Sequence, residues 1–157
     1  MRKRAVMIFT CKNKILLIKR RKGILDYYCL PGGTVEANES AVATITREIK
    51  EELGHVVCTQ TDADMVFYLN AKNIGEESFY FHTEVPNMFE PKLGENSPEY
   101  AKISDTYLFD PLWLPIADMR YLHILPVEIK KWMLTLYFEQ GIIIIPPLNT
   151  ASLDHFL

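Results

Sequence analysis

The sequence predicts an α/β domain, in which a β-sheet and helices are packed in layers. Apolar and β-branched runs of strand length recur along the 157-residue chain, and two segments carry helical signals instead. Apolar residues make up 48% of the chain, which is enough for a domain of this size to bury a core. There is no internal repeat, low-complexity tract or linker, so we expect residues 1–157 to form a single domain.

The chain opens with a predicted hairpin. The runs RAVMIFTC (residues 4–11) and KILLIKR (14–20) are separated only by Lys12 and Asn13. A short third strand, YYC (27–29), ends before Pro31, because proline has no backbone donor for a sheet. The two glycines that follow Pro31 predict a tight turn.

A helix is predicted over Ser40–Leu53 and a second one from Pro126 to about Glu139. The first helix has apolar residues at every fourth position: Ala41, Ile45, Ile49 and Leu53. Gly54 follows as a left-handed cap that ends this helix. Pro126 suits the first turn of the second helix, where no backbone donor is needed.

Further strands are predicted between and after these features. HVVCTQTDADMVFYLN (55–70) and ESFYFHTEVP (77–86) read as two strands joined by a turn at residues 73–75. A polar loop with Pro91, Gly94 and Pro98 leads to another strand, TYLFDPLWLP (106–115). We expect the tail from about residue 146 to be irregular.

Composition excludes several classes of protein. A net charge of −3 gives no reason to expect a nucleic-acid polymer or a membrane surface as partner. Residues 2–4 form a basic cluster, which we interpret as solvated charge at a strand end. The three cysteines form no CxxC pair or disulfide framework and predict free thiols in a reducing, cytoplasmic compartment. No apolar run approaches the length of a membrane span.

The first predicted helix carries three glutamates on one face. At about 100° per residue, Glu51 and Glu52 lie roughly 60° and 40° to either side of Glu48. Like charges at this spacing repel by a few tenths of a kcal/mol per pair. We therefore expect a positive charge to be held against this face of the helix.

These glutamates belong to a longer pattern. Gly33 is followed after five residues by Glu39 and, after seven more, by the run REIKEELG, residues 47–54. This pattern resembles the Nudix hydrolase signature, G-x5-E-x7-R-E-U-x-E-E-x-G-U, in which U is a bulky aliphatic residue. The one departure is His55 at the final aliphatic position. The resemblance implies a MutT-like α/β/α sandwich with a central mixed β-sheet.

The resemblance also implies a role for each matched residue. Glu48, Glu51 and Glu52 match the metal-binding and catalytic glutamates, and Gly32 matches a residue whose carbonyl joins the metal. Such oxygen ligands suit Mg²⁺ or Mn²⁺. The structural positions of the motif are Gly33, Glu39, Arg47 and Gly54. Among these, Glu39 and Arg47 are expected to tie the loop to the helix.

Other site residues lie outside the motif. Members of the family often use a carboxylate from a later loop as general base, and Glu95 and Glu99 are the candidates here. Arg20 and Arg21 precede the glycine turn and are candidates for binding substrate phosphate, while Tyr28 is a candidate for stacking a base.

The resemblance implies an Mg²⁺-dependent pyrophosphohydrolase that cleaves a diphosphate linkage in a nucleotide-type small molecule. Hydrolases of ADP-ribose or dinucleoside polyphosphates tend to carry a proline or tyrosine marker soon after the motif. No proline lies between Gly54 and Val85, and Tyr68 falls short of the tyrosine position, so a nucleoside triphosphate, including a damaged one, is favoured. Three alternatives stay open: hydrolysis of ADP-ribose or a dinucleoside polyphosphate, a non-catalytic nucleotide-binding or regulatory module, and an isomerase on the same fold. A homodimer is also left open.

Overall fold

The computed structural model describes residues 1–57 and 64–140, the last four of them by backbone alone. The strands are β1 (Arg2–Cys11), β2 (Lys14–Lys22), β3 (Leu25–Cys29), β4 (Gly32–Thr34), β5 (Met65–Ala71), β6 (Glu76–Glu84) and β7 (Tyr107–Pro115). The helices are α1 (Ala41–Leu53) and α2 (Val127–Gln140), and short 3₁₀ helices cover Lys72–Ile74, Tyr100–Lys102 and Ile116–Tyr121.

The described strands form one mixed sheet, as predicted. The order along the main path is β3-β2-β1-β6-β5, while β4 pairs with β1 and β7 pairs with β2. The pairing of β1 with β6 is parallel, and the other strand pairs of this sheet are antiparallel. A parallel neighbour buries the centre of a sheet on both faces, so helices are needed on each side.

The predicted hairpin is confirmed, and its two strands soon separate. Lys12 and Asn13 both have positive φ, at 48° and 65°, which suits the twist of a two-residue hairpin turn. β1 and β2 pair directly only at Thr10 with Ile15 and at Cys11 with Lys14. Beyond these pairs, β1 takes β4 as its neighbour and β2 takes β3. A space therefore opens between the two pairs of strands.

Two hydrophobic cores cover the two faces of the sheet. On one face, the predicted stripe Ile45, Ile49 and Leu53 of α1 is buried against β1. On the other face, Met119 of the last 3₁₀ helix and Met133 of α2 pack against the alternate residues of β1. The α/β/α sandwich is therefore confirmed.

Helix α1 begins and ends where its caps predict. The Ser40 side chain accepts a hydrogen bond from the backbone N–H of Ala43 at 3.0 Å. Gly54 adopts a left-handed conformation at φ 66° and donates its N–H to the carbonyl of Lys50. Both caps satisfy backbone groups that have no partner inside the helix.

Three features differ from the sequence prediction or lie beyond it. The strand predicted from His55 is described from Met65 onwards, and residues 55–57 form no strand. The predicted glycine turn contains the short strand β4, because Gly32–Thr34 pairs with β1. Residues 58–63, with Cys58, and the tail from 141 lie outside the described residues.

No helix in the described part of the chain is both long enough and apolar enough to span a membrane.

Removal of the α1 cap tests how this helix is held. We expect Ser40→Ala to lower the free energy of unfolding by about 1 kcal/mol, because the N–H of Ala43 loses its partner. Ser40→Asp is the matched control, since aspartate caps about as well as serine. Urea unfolding of the three proteins measures the difference. If both variants lost the same free energy of unfolding, the loss could not come from the capping hydrogen bond, and the expectation would be wrong.

Candidate functional site

A cavity of about 900 Å³ occupies the space between the diverging strands. One wall comes from β1 and β4, and the other from β2 and β3. Its lining contains both signs of charge, with the carboxylates Glu48, Glu52 and Glu99 and the guanidinium groups of Arg4 and Arg20. Such a lining can hold a cation and an anion at the same time.

Glu52 is the most deeply buried of these carboxylates, at 4% exposure. Its Oε2 accepts a hydrogen bond from the backbone N–H of Gly32 at 3.0 Å. Burial raises the pKa of Glu52 well above its ordinary value, and the nearby charge of Glu48 raises it further. The Gly32 N–H and the charge of Arg4 compensate a charged carboxylate here only in part, and a bound cation would add to them.

Two glycines let the glutamates come close to the sheet. A Cβ built on Gly33 would overlap the carboxylate of Glu48. Gly32 has φ 151°, and a Cβ on it would overlap the Ala5 carbonyl and the Cα of Val6. Only glycine fits at either position, because its neighbours are backbone or a carboxylate that is itself held in place.

Arg47 ties the acidic residues of the motif together. Its Nε donates to Glu39 Oε2 at 2.9 Å and its Nη2 to Glu39 Oε1 at 3.0 Å, which makes a bidentate pair. Its Nη1 donates to Glu48 Oε1 at 2.8 Å, and its Nη2 also donates to the carbonyl of Thr34. The hydrogen bonds from Arg47 lower the pKa of Glu39 to about 2. The expected tie between the loop and α1 is therefore present.

Glu51 lies apart from the other two glutamates. It does not line the cavity, its side chain is 38% exposed, and its Oε2 is 3.7 Å from Arg47 Nη1. Glu48 and Glu52 are four residues apart and share a side of the helix, whereas Glu51 is turned towards Arg47. The structure brings two of the three predicted glutamates to the cavity.

The polar loop after β6 reaches back to the end of α1. The N–H groups of Lys92 and Gly94 donate to the carbonyls of Leu53 and Glu51, at 2.9 and 2.8 Å. These helix-terminal carbonyls have no partner inside the helix, so the loop satisfies them.

Docking of this loop separates the two candidate bases. Glu99 lines the cavity, and its charge contributes to the raised pKa of Glu48 and of Glu52 after larger effects. Glu95 is exposed and does not line the cavity.

Alternation along β2 separates the two candidate arginines. Arg20 lines the cavity, with its guanidinium 4.7 Å from the ring centre of Phe109 and its Nη2 donating to the Tyr107 hydroxyl at 2.9 Å. Arg21 is turned the other way and pairs with Asp26 at 2.7 Å. The structure therefore brings Arg20 to the site and leaves Arg21 outside it.

The same alternation along β3 affects the candidate tyrosine. Tyr28 packs against the core on the α2 side of the sheet, and its backbone bonds to His123 and Leu125. Its neighbour Tyr27 lines the cavity instead. The structure does not bring Tyr28 to the site.

His55, the departure from the family signature, has an aromatic environment. Its ring stacks on that of Phe89 with centroids 3.9 Å apart and planes 8° apart, and it meets Phe9 edge-on at 5.8 Å. Burial lowers the pKa of His55, which favours the neutral ring. Aromatic packing thus replaces the usual aliphatic contact after the helix.

The donor set fits a divalent cation. Within residues 1–57 and 64–140, no three carboxylate, histidine or cysteine side chains converge into a preformed metal site. Mg²⁺ does not require one, because it keeps several waters and is commonly held by one or two carboxylates together with substrate phosphates. Glu48 and the buried, under-compensated Glu52 meet that requirement.

The NUDIX domain family model matches residues 1–136 of the chain. Among curated relatives, an ADP-ribose pyrophosphatase of Methanocaldococcus jannaschii is 51% identical over 43 residues, which are 27% of this chain and 25% of that protein. An 8-oxo-dGTP diphosphatase of Buchnera aphidicola subsp. Schizaphis graminum is 44% identical over 45 residues, or 27% of this chain and 35% of that protein. The matches thus span a quarter to about a third of these relatives.

Solved structures share the fold over most of the chain. A MutT protein from Methanosarcina mazei superposes with a TM-score of 0.63 at 16% identity and covers 90% of this chain and 96% of its own. A NUDIX hydrolase from Nitrosomonas europaea gives 0.61 at 20% identity, covering 94% and 93%. A MutT NUDIX hydrolase from Burkholderia pseudomallei gives 0.59 at 22% identity, covering 85% and 98%. At such identities the likeness concerns the fold alone.

The Glu39–Arg47 pair predicts how stability depends on pH. We expect Glu39→Gln to lower the free energy of unfolding near neutral pH by about 2 kcal/mol, because charge-assisted hydrogen bonds are lost. Since the folded state lowers the pKa of Glu39 from 4.5 to about 2, the wild type loses this advantage as the pH falls through that window. Urea unfolding from neutral to acidic pH measures the difference.

Glu36→Gln is the matched control, because Glu36 is exposed and lies 3.7 Å from the same arginine. Its difference from the wild type should be small throughout the pH range. A Glu39→Gln deficit that stays constant down to about pH 2 would contradict the pKa assignment.

Proposed function

The chain belongs to the NUDIX domain family, and on that premise we propose that it is a divalent-metal-dependent hydrolase of phosphoanhydride bonds in nucleotides. One observation carries the proposal: buried Glu52, with a single backbone donor from Gly32, lies beside Glu48 in a cavity that also contains Arg20. A cation at the glutamates and an anion at the arginine would both be compensated.

Glu52, Glu48 and the carbonyl of Gly32 would hold the metal, with Mg²⁺ or Mn²⁺ as the ions suited to these oxygens. When bound, a divalent cation neutralises charge on the phosphates and makes water a stronger nucleophile. Glu51 would contact the metal through a bound water, because its side chain lies outside the cavity lining. Arg47 holds Glu48 in place through its 2.8 Å hydrogen bond.

Glu99 is the proposed general base. It lines the cavity from the polar loop after β6, whereas Glu48 and Glu52 line it from α1. There it would accept a proton from the attacking water. Its position depends on the loop that Gly94 anchors to the end of α1. A Cβ on Gly94 would lie 2.9 Å from the Glu51 carbonyl, so a larger residue would displace this loop.

The proposed substrate is a nucleoside triphosphate, a damaged one included. The two curated relatives carry names for different substrates, ADP-ribose and 8-oxo-dGTP, and each matches this chain over a short segment. The support for the triphosphate comes from the sequence after the motif, which has no proline between Gly54 and Val85 and no tyrosine at the marker position, since Tyr68 falls short of it. We also propose a reducing, cytoplasmic compartment, because the described cysteines Cys11 and Cys29 are unpaired.

A panel of nucleotides tests the proposed activity. We expect release of phosphate or pyrophosphate with Mg²⁺ and none with EDTA. Glu52→Gln should reduce turnover by several orders of magnitude while melting in EDTA at or above the wild-type temperature, because it removes a buried carboxylate that is compensated only in part. Binding of nucleotides without turnover would indicate a non-catalytic module instead. Unchanged turnover in the variant would remove Glu52 from the proposed ligands.

The two loop glutamates provide a matched test of the base. We expect Glu99→Gln to lower kcat by roughly 10²–10⁴-fold, the usual effect of losing a general base. Glu95→Gln makes the same chemical change four residues away on an exposed position and should leave kcat within about twofold. Equal effects of the two substitutions would contradict the assignment.

A further inference from the structure

The N-terminal basic cluster, interpreted from sequence as solvated charge, contributes to the cavity. Arg2 and Arg4 of β1 line it, whereas Lys3 between them is exposed and does not. Alternate residues of a strand face the same side, so Arg4 shares its side of β1 with Val6, which also lines the cavity.

The two lining arginines of β1 differ in their partners. Arg2 forms an ion pair with Glu76, which neutralises it at the mouth of the cavity. The Arg4 side chain forms no hydrogen bond or ion pair with the residues that the structure describes, although it is only partly exposed and its charge acts on Glu52. A guanidinium has five donors in a planar fork, so Arg4 retains its full capacity to bind an anion.

Arg4 lies close to the glutamate end of the cavity. In the pairing of β1 with β4, Arg4 is opposite Thr34 and Val6 is opposite Gly32, whose N–H binds Glu52. Two residues along a strand correspond to about 7 Å. An anion bound by Arg4 would therefore be a near neighbour of a group bound at Gly32 and Glu52.

Arg20 approaches the same region from the other wall. Its Nε is buried without a hydrogen-bond partner among the described residues, and the guanidinium is held by Phe109 and Tyr107. Burial raises the pKa of Tyr27 and of Cys29, and the charges of Arg20 and Arg4 oppose that rise at both groups. Both cations thus act on the same stretch of β3.

We propose that Arg4 and Arg20 together bind a phosphate group of the substrate that lies outside the diphosphate held at the glutamates. The inference rests on the proposed function and adds the residues that would select its substrate class, nucleotides with a phosphate beyond the cleaved diphosphate, such as nucleoside triphosphates. Planar guanidinium groups bind phosphate oxygens in a bidentate manner, and neither arginine has a described carboxylate partner to displace.

Phosphate binding in EDTA tests the pair separately from catalysis. Without metal, the glutamates repel anions, so calorimetric titration with inorganic tripolyphosphate reports the arginines. We expect Arg4→Gln to weaken binding at least about tenfold, as for the loss of a charge-assisted hydrogen bond. Arg4→Lys should retain part of the affinity, because it keeps a point charge without the planar fork.

Lys3→Gln is the matched control, with the same change in net charge at the adjacent, exposed position. It should change the affinity less than about twofold. Equal weakening by Arg4→Gln and Lys3→Gln would overturn the proposal, because the effect would then be one of overall charge. Absence of tripolyphosphate binding to the wild type would overturn the proposal as well. So would binding of guanosine in place of tripolyphosphate, because guanosine has no phosphate group.

Kinetics with Mg²⁺ separate the two proposals. Arg4→Gln should raise KM for a nucleoside triphosphate more than for ADP-ribose, with kcat little changed. Hydrolysis with no such difference would overturn the inference and leave the proposed function standing. If the protein binds tripolyphosphate through Arg4 but hydrolyses nothing on the panel, the proposed function is overturned and the phosphate site at Arg4 stands.

Discussion

The guanidinium of Arg47 joins the parts of the chain on which the candidate site depends. It binds Glu39 in the loop, the Thr34 carbonyl on β4, and Glu48 on its own helix, and it lies 3.7 Å from Glu51. One cation therefore compensates much of the acidic face of α1 and fixes the helix against β4. Glu52, the buried carboxylate that faces the cavity, has no ion pair of this kind among the described residues, and its hydrogen-bond donor is the N–H of Gly32.

The features predicted correctly are those that depend on neighbouring residues in sequence. The serine and glycine caps of α1, its apolar stripe and the two-residue hairpin turn each involve interactions within a few positions. The family signature is local in the same way, and the resemblance to it implied the pairing of Glu39 with Arg47 that the structure contains. Local rules were enough because these contacts do not depend on the register of the sheet.

The features that sequence left undecided depend on register and on docking. Arg20 and Arg21, like Tyr27 and Tyr28, are adjacent on strands, and a shift of one residue exchanges which of them reaches the cavity. Both faces of the sheet are covered, so alternation of apolar residues does not reveal which face is which. The position of Arg4 in the cavity was not predicted for the same reason. That position depends on the pairing of β1 with β4, and the two glycines of β4 had predicted a turn instead of a strand.

The docking of the polar loop on α1 also makes the site depend on long-range contacts. Lys92 and Gly94 bond to carbonyls about 40 residues earlier in the chain, and closing a loop of that length costs conformational entropy. Local contacts place Glu48 and Glu52 on their helix, whereas Glu99 reaches the cavity from the docked loop. Complete tertiary folding is therefore the event that joins the acidic helix to the residue proposed to receive the proton.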